Sequence, residues 1–422
     1  MATLREADGG RDQFVPPLSG HVVFDFTRHL SGPFATMLMH DLGAEVIKFE
    51  GPAGDPARRA GPFVGTDSAY FHPVNRGKRS VVADLGSQSD VAAIIRLLPF
   101  ADCLAENFRP GVLARLGLGP DAAQAANPGL IYASCTGFGG TGPLSQRPAF
   151  DVVVQAMGGI MSVTGEPGSG PTRVGVSQAD IVGGIFLALA VCAALARRKT
   201  DGRGAVIDLS MYESQLMLLI HALGIASATG DPPGRIGNRH PAVAPFDVFP
   251  TADGQVAIAA ADDLSFTALC RSLAAGQLAE DYRFISNARR LENIDALTEA
   301  LTARTRKLTT AELTDLMVEA GIPCGPVATL ADVLANPHLA ARHALQRVFP
   351  WGDRPQGLDV PALPFLLDGE RLGDPSPAPA LGEMSLADLE SHLSARTRGH
   401  EASRSATPGA QPGRETGGAD NA

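Results

Sequence analysis

Cysteine is sparse in this 422-residue chain: Cys103, Cys135, Cys192, Cys270 and Cys324 are widely spaced and never form a C-x-x-C pair. An odd, scattered set argues against a disulfide framework or a zinc site and fits a reduced, cytoplasmic setting. Concentrated charge is also lacking. The formal net charge is −10, with no block of five like charges, so neither nucleic acid nor an anionic membrane is expected as a partner. An anionic ligand would need a local basic pocket. The N-terminus has no apolar signal-like core, and the longest apolar run, 181–196, falls short of the roughly 20 residues a bilayer requires. The histidines show no H-x-x-x-H or His/Cys pairing, so no metal is assigned. No internal repeat is evident.

What the chain does have is alternation. "VVFDF", "PFATMLMHDLG" and "AEVIKFE" read as strand, helix and strand, with Pro33 in the first helical turn and Gly43 closing the helix. "RSVVADL", a helix opened by the Ser87/Asp90 cap, "ADCLAEN" and "LIYASCTGF" continue the pattern, which implies an α/β fold with a mostly parallel sheet. "IVGGIFLALAVCAALARR" is apolar on every side and is expected to be a buried helix. From about Asp231 Pro and Gly increase; a hairpin around Asp253-Gly254 and helical patterns near 264–274, 294–304 and 310–321 then predict a smaller α+β domain. The expected organisation is a flexible N-terminus (1–17), a large domain (18–228), the small domain (229–330), a return to the large domain (331–396) and a disordered tail (397–422).

Several motifs invite chemistry. "GFGGTG", Gly137 to Gly142, matches G-x-G-x-x-G, but Pro143 and Pro148 break the helix such a phosphate-binding turn needs; a flexible loop at an active-site edge fits better, with Gly137, Gly139 and Gly140 at its centre. "ENFRPGVLARLG" follows a strand and places Asn107, Phe108, Arg109 and Arg115 where α/β sheets bind ligands. Asp151 and Asp180 each head an apolar, helix-like segment, and by themselves both read as helix caps.

In order, "FDFTRHLSGPFATMLMHDLGAEVIKFEGPAGDPAR", "NRGKRSVVADL", "ENFRPGVLARLGL", "GFGGTGP", "RPAFDVVVQAMGGIMSVTG", "RVGVSQADIVGGI", "GRGAVIDLSMYES", "GNRHPAVAPFDVF", "RFISNARR" and "LGE" resemble the family III CoA transferases, the CaiB/BaiF group typified by formyl-CoA and carnitine CoA transferases. The similarity runs from about residue 18 to about 385. It implies a Rossmann-like large domain, a smaller domain and an interlocked homodimer acting on acyl-CoA and small carboxylic acids. It further implies Asp180 as the nucleophile, supported by Asp151. Asn107, Phe108 and Arg115 match CoA contacts, and Arg28, His29, Ser31, Ala83 and Leu85 line the CoA groove. A carboxylate nucleophile suits CoA transfer because it forms an acyl anhydride and then an aspartyl-CoA thioester from which CoA can be returned. A helix N-terminus is expected to keep that carboxylate ionised.

The fold also hosts α-methylacyl-CoA racemases, which use a histidine and the matching aspartate as acid and base. Phe150 stands at the position of that histidine and cannot carry a proton, which favours the transferase. A CoA-binding module without catalysis would lack the acid at position 180. Leu30 replaces a glutamine of formyl-CoA transferases, and "GNRHPAVAPF" replaces their glycine-rich lid; both argue against oxalate and formyl-CoA as substrates. Arg239 and His240, in that replaced segment, are expected to meet the distal carboxylate of a dicarboxylic acyl group.

Overall fold

The computed structural model describes residues 14–349 and 357–405. Its large domain is built on a six-stranded parallel sheet. The strands are β1 (Val22–Asp25), β2 (Glu45–Glu50), β3 (Arg79–Val82), β4 (Cys103–Glu106), β5 (Ile131–Thr136) and β6 (Ala205–Ser210), in the order β3-β2-β1-β4-β5-β6. Parallel neighbours need crossovers, and here helices supply them on both faces of the sheet. Between β1 and β2 runs α1 (Ser31–Asp41), with Gly43 at φ +102° just past its end. Between β3 and β4 runs α2 (Gln88–Leu97), capped by Ser87 accepting from the Asp90 N–H. After β5 come α3 (Asp151–Met157) and α4 (Gln178–Asp201); after β6 come α5 (Met211–Leu218) and α6 (Ile220–Thr229).

On one face, α1 and α4 close over Val23, Val46, Ala105 and Ala133; on the other, α2 covers Phe24, Ile47, Val81 and Leu104. Gly184 lets α1 and α4 approach closely. A Cβ at Gly184 would stand 2.7 Å from the Ser31 carbonyl and 2.8 Å from the Phe34 ring. The 24 residues of α4 are long and apolar enough to cross a membrane, although the apolar run within them is shorter. Contrary to the expectation of a fully buried helix, only one side of α4 enters the core. Ile185 and Leu189 are exposed, as are Val206, Met217, Ile220 and Leu223 on neighbouring elements of the chain. The sequence of α4 has no polar face, which predicts burial, but an apolar face can also meet another surface.

The small domain pairs β7 (Phe246–Pro250) and β8 (Gln255–Ala259) as an antiparallel hairpin, with β9 (Cys324–Pro326) on the other edge of β8. The helices α7 (Asp263–Ser272), α8 (Ile294–Thr305) and α9 (Thr310–Glu319) pack on it through Phe266, Leu269, Leu297, Leu301, Leu313 and Met317. The chain then returns: Met384 bridges to Val81, and α10 (Leu386–Ser405) places Leu389 and Leu393 in the core beside Ile94. This helix runs into the segment from Thr397 for which the sequence predicts disorder. Residues 406–422 lie outside the described residues, as do 1–13 of the N-terminal segment, whereas Pro16 packs beside Gly43.

Candidate active site

The strand order reverses between β1 and β4, so the loops leaving these strands diverge and open a crevice at their carboxyl ends. Asn107, after β4, pins the loop after β1: its side chain accepts from the Arg28 N–H at 2.8 Å and donates to the Arg28 carbonyl at 2.7 Å. The Arg28 guanidinium lies over the Phe108 ring, 4.2 Å from its centre. His29 takes a left-handed φ of +66°, and its N–H donates to Asp55 at 3.2 Å. Burial pushes the His29 imidazole below its usual pKa.

Beneath this turn lies a buried charge layer that the sequence reading missed. Asp25 accepts from Thr27, Thr36 and Lys78 at 2.5, 2.8 and 3.0 Å. Lys48 holds the Thr27 carbonyl at 2.8 Å and Asp55 at 2.9 Å. The signal was present: an aspartate inside "VVFDF" and a lysine inside "VIKFE" are out of place in strands covered on both faces unless they meet partners.

Asp180 is not the helix cap that its position suggests. α4 starts one turn earlier, with Ser177 at the N-cap and no side-chain cap bond, so Asp180 sits in the first turn. Asp151 does the capping from outside. One of its oxygens accepts the Ala179 N–H at 2.8 Å and the other is held by the Gln155 amide at 2.7 Å. The orphan donor at the head of α4 is thereby satisfied, and the Asp180 carboxyl is left to the crevice, where Ser31 hydrogen-bonds it. Burial and the neighbouring Asp151 charge push Asp180 up to about 7, against the smaller opposing effect of Ser31. The sequence predicts that the helix terminus keeps this carboxylate ionised; loss of hydration and the Asp151 charge instead favour its protonated form.

Asp180 lines a cavity of about 330 Å3 together with Arg28, His29, Ser31, Asn107, Phe108, Gly137 and Phe150. A second cavity of about 400 Å3 contains Ala83 and Leu85. Arg28 and Phe108 line both, so the two cavities adjoin. Phe150 is 69% exposed and meets the His29 ring edge-on. Arg115, Leu30, Asp151, Gly139, Gly140, Arg239 and His240 are on neither wall. The glycine loop is pinned rather than loose: the Gly140 N–H donates to Asp208 at 2.8 Å, and the Gly139 N–H to Thr136 at 3.0 Å. No helix follows it before α3, in agreement with rejecting a dinucleotide turn. Arg239 is engaged with Asp295 at 2.8 Å and Asp247 at 3.6 Å, and the His240 ring lies beside Phe246. Among the described residues no group of three or more His, Cys, Asp or Glu is placed to hold a metal ion. Tyr70 also lines the cavity, where burial, Asp180 and Asp151 raise its pKa; sequence reasoning had not singled it out.

The profile of CoA-transferase family III matches residues 18–385. The chain is 47% identical over 331 residues to an acetyl-CoA:oxalate CoA-transferase of Acetobacter aceti, covering 78% of this chain and 85% of that one. It is 37% identical over 388 residues to a succinate–glutarate CoA-transferase of Agrobacterium fabrum, covering 89% and 96%. A crystal structure of a CaiB/BaiF family protein from Brucella suis superposes with a TM-score of 0.81 at 38% identity, over 89% of this chain and 99% of that one. These matches lead to one assignment: the chain is a CoA-transferase and belongs to CoA-transferase family III.

Proposed function

We propose that the enzyme moves CoA from an acyl-CoA thioester to a short carboxylic acid through covalent intermediates on Asp180. The Asp180 carboxylate attacks the thioester carbonyl, and the C–S bond breaks to release CoA thiolate, leaving a mixed anhydride. The thiolate then attacks the aspartyl carbonyl and the donor acid leaves as a carboxylate, giving an aspartyl-CoA thioester. The acceptor carboxylate repeats the sequence in reverse: it displaces the thiolate to form a new anhydride, and the thiolate attacks the acceptor's acyl carbon to release acyl-CoA and free Asp180.

The observation that carries this reading is the position of Asp180, on the wall of a cavity that adjoins a second one at Arg28 and Phe108. Together they suit the extended CoA molecule, and the Asp180 end suits the acyl group. Dicarboxylates fit as the acid class, since the relatives named above act on oxalate or on succinate and glutarate. The 47% identity to an oxalate enzyme also brings oxalate back into consideration despite Leu30 and the altered lid. Self-association into an interlocked homodimer would cover Ile185, Leu189 and other exposed apolar residues. We place the enzyme in the cytoplasm, on its scattered free cysteines.

The test is to incubate the enzyme with a panel of acyl-CoAs, add hydroxylamine and map the product by mass spectrometry. Hydroxylamine attacks the aspartyl thioester and expels CoA, so a hydroxamate at Asp180 is expected. Exchange of the substrate's α-proton without an adduct would instead identify a racemase.

A further inference from the structure

Three arginines and one aspartate line the Asp180 cavity: Arg28, Arg109, Arg147 and Asp180. Arg28 is stacked on Phe108 where the two cavities adjoin. Like it, Arg109 and Arg147 form no guanidinium ion pair or hydrogen bond among the described residues, but neither of them is stacked on a ring. They enter from different loops, one after β4 and the other ahead of α3. Each is followed by a proline, Pro110 and Pro148, which also line the cavity and restrict the preceding backbone to extended conformations. The Arg147 loop is fastened further. Its N–H donates to the Leu144 carbonyl at 2.8 Å, and Ala149 packs so closely on Gly137 that a Cβ there would stand 2.3 Å away. The backbones are thus fixed while the charged ends remain unengaged.

Resting on the transfer reading above, we infer that Arg109 and Arg147 form the clamp for the second carboxylate of a dicarboxylic substrate. One carboxylate of the acid must reach the Asp180 carbonyl and react. The other then lies in a cavity whose remaining charges are cationic, and guanidinium groups bind carboxylates by paired, charge-assisted hydrogen bonds. Arg239, the arginine expected from sequence to do this, already carries Asp247 and Asp295.

The test uses the full-length enzyme, acetyl-CoA as the donor, and glutarate against butyrate, its counterpart without the second carboxylate, as acceptors. Wild type should favour glutarate. Arg147→Ala, Arg147→Gln and Arg109→Ala should each reduce the glutarate-to-butyrate ratio of kcat/KM by about 10-fold or more, chiefly through the KM for glutarate. The KM for acetyl-CoA should move less than that for glutarate. An equal loss with both acids, a matching rise in the KM for acetyl-CoA, or an unchanged ratio would overturn the clamp; either of the first two would make these arginines CoA contacts. If wild type transfers no CoA and Asp180 takes no adduct, the transfer reading itself falls, and the clamp falls with it.

Discussion

Two aspartates 155 positions apart in the same domain, Asp25 and Asp180, respond to burial in opposite directions. Asp25 is wholly enclosed. Burial alone would raise its pKa, but Lys78, Lys48 and the Thr27 hydrogen bond hold it at about 2. Asp180 is only half-buried, yet it rises to about 7, because burial and the Asp151 charge both raise it and the Ser31 hydrogen bond opposes them only in part. Compensation, more than depth, decides which way a buried acid shifts. The fully satisfied layer around Asp25 supports the turn that carries Arg28, His29 and Ser31. Asp180, with Ser31 as its hydrogen-bond partner, faces the groove.

The difference can be broken from either side. Asp180→Asn should abolish CoA transfer, by about 10^3-fold or more, while the fold persists; a variant retaining half the wild-type rate would contradict the anhydride route. Lys78→Met should leave the Asp25 charge buried and poorly paired, at a cost of about 3–5 kcal/mol, read by chemical denaturation. The stabilisation from Asp25 is fully present above its ordinary value of 3.8 and is lost as pH falls through about 2, so acid melting of wild type and Lys78→Met should converge there.

Smaller effects sharpen the contrast. Because the folded-state pKa of Asp180 is raised, its ionisation opposes folding progressively from about pH 4 up through about 7. Asp180→Asn removes that penalty and should be the more stable protein above pH 7, by about 1 kcal/mol after allowance for solvent screening in the open cavity. A melting difference that does not vary with pH would count against the raised value. Asp151→Asn keeps an acceptor for the Ala179 N–H but removes the like charge, so the pH midpoint of activity should move downward, with a stability loss of about 1 kcal/mol or less.

The alternation of strands and helices was legible because each crossover carries its own local signals: Pro33, Ser87 and Gly43 all stand at helix boundaries where the sequence placed them. Relations across distance were not legible. Nothing near Asp180 says that Asp151 caps Ala179, 28 residues further on, and without that bond Asp180 looks like an ordinary cap. The outward face of α4 was hidden for a related reason: an all-apolar helix does not distinguish a core neighbour from an exposed strip such as Ile185 and Leu189. The Asp25 layer, by contrast, could have been suspected from charged residues within buried strands.

The account turns on Asp180 being a partly compensated acid that becomes the nucleophile when it ionises. The most direct measurement is the rate of hydroxylamine-trapped adduct formation at Asp180 across pH, under conditions where kcat/KM for the acyl-CoA is read. The account predicts that the adduct maps to Asp180 and that its rate rises with a midpoint near 7. A midpoint at an ordinary carboxylate value near 4, or an adduct on another residue, would contradict it.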